Sequence, residues 1–236
     1  MKRYFRSADY HIRKILFEKF ALPKVINERI SKVVLKKYLS SNPVIIDCGA
    51  HDGTDTIELA KVFKHSLICA FEPIEHLFNK LKARPNPQKN IKYYQLALAD
   101  KNGAMDFYVS EGESDASSSL LEPQQHLVDH PKTVFNSKII VRTSTLDSWA
   151  IENGIEKVDL LWLDMQGFEL NMLRESKKIL DTVSVIHTEV STAETYKGVA
   201  LYAAYRSFLE DRGFQVKIEA IPKGWDMGNV LFVKEK

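Results

Sequence analysis

Cysteine is scarce in this chain: only Cys48 and Cys69 occur, each inside an apolar, strand-like run. Two residues so placed supply no disulfide framework and match no metal-ligand spacing, so buried reduced thiols in a cytoplasmic protein are the expectation. No apolar run nears the ~18 residues of a membrane span, and no signal-peptide core follows Met1. A chain without a transmembrane segment is therefore expected. Charge of one sign is also in short supply: the net is +2, too little to imply bulk nucleic-acid binding.

That small net charge hides an uneven distribution. Residues 1–40 carry 11 Lys/Arg against 3 Asp/Glu, about +8, which leaves the remainder near −6. Residues 1–40 read as a basic helical extension, either a solvated prefix or a contact for an anionic surface or partner. Residues 41–236 read as one further domain. Within the prefix, residues 8–39 suggest one or two helices, with Ile12, Ile15, Leu16 and Phe20 at helical spacing and a break at Pro23.

After the prefix, strand and helix patterns alternate. "PVIIDCGA", "SLICAFEP", "IKYYQLALAD", "KVDLLWLD" and "TVSVIHTEVS" are near-continuous apolar strands, with helical stretches such as "TIELAKVFKH" and "IEHLFNKLKA" between them. Such alternation argues for an α/β fold with a doubly wound, mostly parallel sheet. "FQVKIEAI" and "GNVLFVK" suggest an antiparallel pair at one edge. "GAMDFYVS" and "SKIIVRTS" add strands around a long polar insertion that contains Ser117, Ser118 and Ser119. His126 and His130 in that insertion read as surface residues.

In such sheets ligands bind beyond the carboxyl ends of the strands. "PVIIDCGAHDG" ends a buried strand in Asp47 and then places Gly49 and Gly53 around Ala50, His51 and Asp52. The glycines allow a sharp turn and close approach of a ligand, and Thr54 or Asp55 can cap the following helix. Glu72, before Pro73, lies 19 residues past Gly53, where an acid can accept from both hydroxyls of a ribose. The G-x-G-x-x-G spacing of a dinucleotide site is missing. Asp47 would repel a pyrophosphate but suits an ammonium group. S-adenosylmethionine, with an ammonium, a ribose and no phosphate, fits this inventory better than NAD.

The motifs "VIIDCGAHDGTDT", "FEP", "ALAD", "TLD" and "VDLLWLDMQGFELNML" resemble, in order and spacing, the FkbM family of S-adenosylmethionine-dependent methyltransferases. The resemblance covers about residues 43–235. It implies the class I methyltransferase fold, a Rossmann-like seven-stranded sheet with one antiparallel strand, and methylation of hydroxyl groups on sugars, glycans or natural products. It places the methionine part on Asp47, Gly49, Ala50, His51, Asp52, Gly53, Thr54 and Asp55, the ribose on Glu72, and the adenine near Ala97 and Leu98. Two departures stand out: His51 where the family often has Asn, and Gln166 where it often has Glu.

A hydroxyl acceptor needs a base or a metal to remove its proton. Asp164, Glu169, His187 and Glu189 lie at the ends of the fourth and fifth long strands, and His187 and Glu189 share one face by alternation. Asp164, His187 and Glu189 are the catalytic expectation, with a Mg²⁺-like ion as an alternative. The resemblance also implies Asp164 as a cofactor contact, facing the methionine amine or the reacting centre. Ser118, Ser119 and Gln166 are expected near the substrate. Methylation of a small amine and a non-catalytic, cofactor-binding adaptor are the competing readings.

Overall fold

The computed structural model describes residues 12–22 and 24–235. The expected break at Pro23 and the start of the prefix helix lie outside them. Residues 12–20 form helix α1. The rest of the prefix departs from the helical expectation. Val25–Ile26 (β1) and Arg29–Ile30 (β2) pair as a small antiparallel hairpin, and Lys32–Lys37 is a 3-10 helix. The hairpin turns at Asn27, whose φ of 53° is left-handed backbone that Asn tolerates well. Ile30, Val34 and Leu35 are buried, so this segment is anchored by packing rather than by an amphipathic helix.

Seven strands form the main sheet: β3 (Val44–Cys48), β4 (Leu67–Phe71), β5 (Ile91–Tyr94), β9 (Leu160–Leu163), β10 (Val185–Ser191), β11 (Phe214–Ala220) and β12 (Met227–Lys234). Their order is β11-β12-β10-β9-β3-β4-β5. The pairs β3–β4, β3–β9, β4–β5 and β9–β10 are parallel, and β12 is antiparallel to both its neighbours. This is the expected sheet, with the antiparallel strand one place in from the edge. Chain order reverses between β3 and β9, which opens a crevice at their carboxyl ends.

Alternation along the central strands feeds two cores. Ile46, Cys48, Phe71, Leu161, Leu163 and Ile186 face a cluster with Trp149, Met172 and Leu209. Ile45, Ile68, Leu160, Trp162 and Val185 face the other side, against Ile57, Ala60, Phe63 and the prefix residues Ile30, Val34 and Leu35. The strands read as unbroken apolar runs because both faces are covered. Cys48 and Cys69 are buried free thiols.

"IKYYQLALAD" is not one strand. It divides into β5 and β6 (Ala97–Leu98), and β6 pairs with β8 (Thr133–Ser144) in a separate three-stranded sheet, order β6-β8-β7, with β7 at Gly103–Gly112. The β7–β8 hairpin carries the long insertion at its tip. There Ser119 bridges to Tyr108, Pro123 bridges to Tyr196, and His126–Asp129 forms a single helical turn, α4. His126 is buried rather than exposed: its ring lies 4.7 Å from His130 and 5.4 Å from Tyr196.

The remaining helices are α2 (Thr54–Val62), α3 (Glu75–Ala83), α5 (Leu146–Asn153), α6 (Glu169–Arg174), α7 (Lys177–Thr182) and α8 (Tyr202–Glu210). The acid of the "TLD" motif has a structural task. Asp147 accepts from the backbone N–H groups of Lys178 and Ile179, both at 2.9 Å, and so caps α7 from α5.

Candidate active site

Two clefts meet at the carboxyl ends of β3 and β9, sharing Gly49, His51 and Asp164. The first, about 650 Å³, has mostly apolar walls from Phe71, Ile74, Leu77, Ala97, Leu98 and Phe168. Glu72 and Pro73 line it as expected. Each Glu72 oxygen already accepts one backbone hydrogen bond, from His51 N–H at 3.0 Å and Ile74 N–H at 2.8 Å. A carboxylate oxygen can accept more than one bond, so both oxygens remain able to receive ribose hydroxyls.

The loop geometry explains the glycine at position 49 more sharply than ligand approach does. Gly49 has φ +78°, and a Cβ there would lie 1.9 Å from the carbonyl oxygen of Asp164. Only a bare Cα lets β3 and β9 close at the crevice. Gly53 departs from the expectation: it sits at the N-cap of α2, packs on Leu81 and lines neither cleft. The cap is also not Thr54 or Asp55. Asp52 accepts from Thr54 N–H at 3.0 Å and pairs with Arg84. His51 holds φ +50°, a conformation Asn adopts readily, which gives a backbone reason for the Asn often found there in the family the sequence resembles. Its Nε2 lies 2.9 Å from Asp115 Oδ1, tying the insertion to the loop.

The second cleft is more polar than the first. Asp47, Ala50, Asp52, Thr54, Asp55, Trp162, His187, Glu189 and Asn229 line it, and Glu28, Arg29 and Lys32 of the prefix supply a further wall. Asp47, Trp162 and His187 are register partners across β3, β9 and β10, so they form a row on one sheet face. Trp162 and His187 stack with centroids 3.5 Å apart and planes 2° from parallel. Lys32 Nζ sits 4.6 Å from the Trp162 ring and bonds Asp55 at 2.6 Å and Glu58 at 2.7 Å. Asp55 is thus held in an ion pair while it lines the second cleft.

Acid chemistry dominates this junction. Burial pushes Asp47 up to about 7, although Thr56 Oγ1 donates to it at 2.5 Å. Burial likewise raises Glu72 to about 7 and Asp164 to about 6, and holds Glu189 well above the usual carboxylate range with help from the charge of Asp164. Gln166 Nε2 donates to Asp164 Oδ1 at 2.8 Å and to Glu189 Oε2 at 2.9 Å, while Tyr196 Oη lies 3.0 Å from Gln166 Oε1. Gln166 Nε2 thus clamps the two acids, while its Oε1 shares the single Tyr196 proton with the Ser117 carbonyl at 2.7 Å and the residue lines the first cleft.

Other expected residues also change role. Ser119 is fully buried; it donates to the carbonyl of Gln166 at 2.8 Å and accepts from Leu121 N–H, a strut rather than a substrate contact. Ser118 does line the first cleft, its Oγ accepting from Ser110 N–H at 2.9 Å. Glu169 accepts from Met165 N–H at 2.7 Å and organises the turn after Asp164. His187 lines the second cleft, but burial lowers it to about 3 and its Nδ1 has no partner, so it is a weak proton acceptor. Among the described residues, no three His, Cys, Asp or Glu side chains converge as metal ligands.

The Methyltransferase FkbM domain model matches residues 47–216. The chain belongs to the FkbM methyltransferase family. FkbM membership makes it a methyltransferase enzyme with S-adenosylmethionine as methyl donor. The first cleft fits that donor: an apolar slot for a base, a buried acid for a ribose, and buried acids beyond it that want a cation. Curated relatives of this FkbM protein include the 2-O-methyltransferase NoeI of Sinorhizobium fredii, 30% identical over 175 residues that span 72% of each chain. Methyltransferase sdnD of Sordaria araneosa is 23% identical, over 84% of this chain and 85% of its own.

Solved structures place the fold in the class I methyltransferase group. Methyltransferase FkbM from Methylobacillus flagellatus KT has a TM-score of 0.51 at 13% identity, over 83% of this chain. The match spans 44% of that longer chain. Precorrin-6y C5,15-methyltransferase from Geobacter metallireducens GS-15 has a TM-score of 0.51 at 13% identity, over 91% of this chain and 92% of its own.

The sequence did not single out Glu28, Arg29, Lys32, Trp162 or Asn229. Lys32 carries no motif, Trp162 reads only as an apolar strand residue inside "VDLLWLDMQGFELNML", and only folding brings the prefix to the cleft.

Proposed function

We propose that this enzyme transfers the methyl group to a hydroxyl of a sugar-like or natural-product acceptor seated in the second cleft. The observation that carries the reading is the cleft's lining. Side chains able to accept or donate hydrogen bonds make up most of it, beside the apolar surfaces of Trp162 and Ile30, and it meets the cofactor cleft at Asp164. A polyhydroxylated acceptor satisfies such groups, which an apolar acceptor would leave unpaired. The 2-O-methyltransferase relative supports the same class.

The bound donor supplies an activated methyl group. The chain's task is to bind, orient and take a proton. Glu72 accepts from the ribose, and the apolar walls hold the base. Asp47 and the backbone around Gly49, where the two clefts adjoin, would hold the ammonium end, and a cation there would draw Asp47 back towards its ionised form. Asp164 Oδ1 is held by Gln166, which leaves Oδ2 to accept the acceptor's hydroxyl proton. Raised to about 6, Asp164 is ionised near neutral pH yet basic enough to work, and burial with the Asp164 charge pushes Glu189 up beside it.

The experiment is to incubate the purified chain with S-adenosylmethionine and panels of glycosides, polyols and small amines, following S-adenosylhomocysteine and methylated product by mass spectrometry. Methyl ethers support the reading. Methylation confined to amines would replace it with N-methyl transfer.

A further inference from the structure

Helix α1 turns an apolar strip towards solvent. Ile12, Ile15, Phe20 and Leu22 are 59%, 51%, 62% and 61% exposed, and Leu16 is 37% exposed. At helical spacing Ile12, Ile15, Leu16 and Phe20 fall on one side. Phe17 lies nearer the body, where its carbonyl accepts from Ser31 Oγ at 2.7 Å, and the next turn buries Ala21. The helix is therefore fastened along one side and bare along the other. Five large apolar side chains within eleven residues are costly to leave in water, and such strips mark contact surfaces.

Charge selects the occupant. At the same helical spacing Lys19 falls within the strip and Arg13 at its edge, while the acid Glu18 lies on the far side, 3.9 Å from Lys14. Apolar side chains interleaved with Arg13 and Lys19, and with no acid on that side, match a bilayer with anionic headgroups: the former enter the acyl boundary while the latter meet phosphate. A second copy of the chain fits less well, because facing strips would bring like charges together. Among the described residues no helix is long and apolar enough to cross a membrane, so this contact lies on the surface. We propose that α1 docks the enzyme on an anionic lipid surface. The hairpin that follows α1 presents Glu28 and Arg29 to the second cleft, and the 3-10 helix after it presents Lys32. Docking thus holds that cleft beside the membrane.

The test is co-sedimentation of the full chain with vesicles of phosphatidylcholine alone or mixed with phosphatidylglycerol, at low and high salt. The expected result is partition onto the mixed vesicles, weaker on phosphatidylcholine and weakened by salt. Ile15→Ser with Phe20→Ser should abolish it. Each of Arg13→Glu and Lys19→Glu should lower the partition by at least about fivefold. These side chains are exposed, so circular dichroism and S-adenosylmethionine binding should stay unchanged. No partition by the parent chain, equal partition on both vesicles, or an unaffected Ile15→Ser/Phe20→Ser variant would overturn the proposal. So would concentration-dependent dimerisation lost in that variant without vesicle binding, which would assign the strip to a second copy.

Discussion

A methyl group at position 49 has nowhere to go: its carbon would sit 1.9 Å from the Asp164 carbonyl oxygen, on a backbone at φ +78°. Gly49→Ala should therefore destabilise the fold by at least about 2 kcal/mol and abolish S-adenosylmethionine binding, as thermal melting and calorimetry would show. Asp164 should matter differently. Asp164→Asn keeps the size of the side chain but removes the proton acceptor, so kcat should fall about 10²-fold while cofactor affinity changes little. In the parent enzyme, activity should rise with pH through about 6, where Asp164 ionises, and the variant should lose that dependence. A rise in the same range in Asp164→Asn would move the base elsewhere. The motif acids were legible in the sequence because strand ends are where such folds bind ligands. The clamp role of Gln166 was not, since it depends on Glu189 and Tyr196, far away in the chain.

The β1–β2 hairpin is the element whose meaning folding reversed. Its residues read as part of a helical prefix because Val, Ile and charged residues suit several local structures. Burial of Ile30 and the pairing of Lys32 with two acids of α2 decided otherwise. Lys32→Met should remove that anchor and leave Asp55 and Glu58 without their nearest cation, costing about 1–3 kcal/mol in chemical denaturation. Activity should fall by more than cofactor affinity does, because the hairpin walls the second cleft and not the first. Equal losses in both would place the hairpin over the donor instead. The β7–β8 hairpin gives a parallel case. Its strands were visible by alternation, but their membership of a separate sheet was not, because the split of "IKYYQLALAD" follows from where β5 ends against β4.

At the scale of the whole molecule, the site imposes a pH dependence on stability. Asp47, Glu72 and Glu169 rise to about 7 and Asp164 to about 6, against ordinary values of 3.8 for Asp and 4.5 for Glu. Between those limits the four acids bind more protons in the folded than in the unfolded chain and outnumber His187, whose value lowered to about 3 acts the other way, so stability should fall as pH rises. The cofactor-free protein should melt at progressively lower temperature from about pH 4 to pH 7. S-adenosylmethionine should raise the melting temperature most near pH 7, where its cationic end meets ionised acids. A cofactor-free melting temperature that climbs across this interval would contradict the burial of these acids.

The order of strands and helices was written in local patterns: unbroken apolar runs, helical spacing, and glycines and acids at strand ends. These are short-range signals that one turn or strand can carry, and with the motif set they determined the α/β class, the family and the cofactor. Tertiary structure alone decided which acids share a proton field, which residue fills the Gln166 clamp, and which distant segment closes the second cleft. Those outcomes depend on separations of a few ångströms between residues far apart in the chain, and such distances arise only when the sheet assembles.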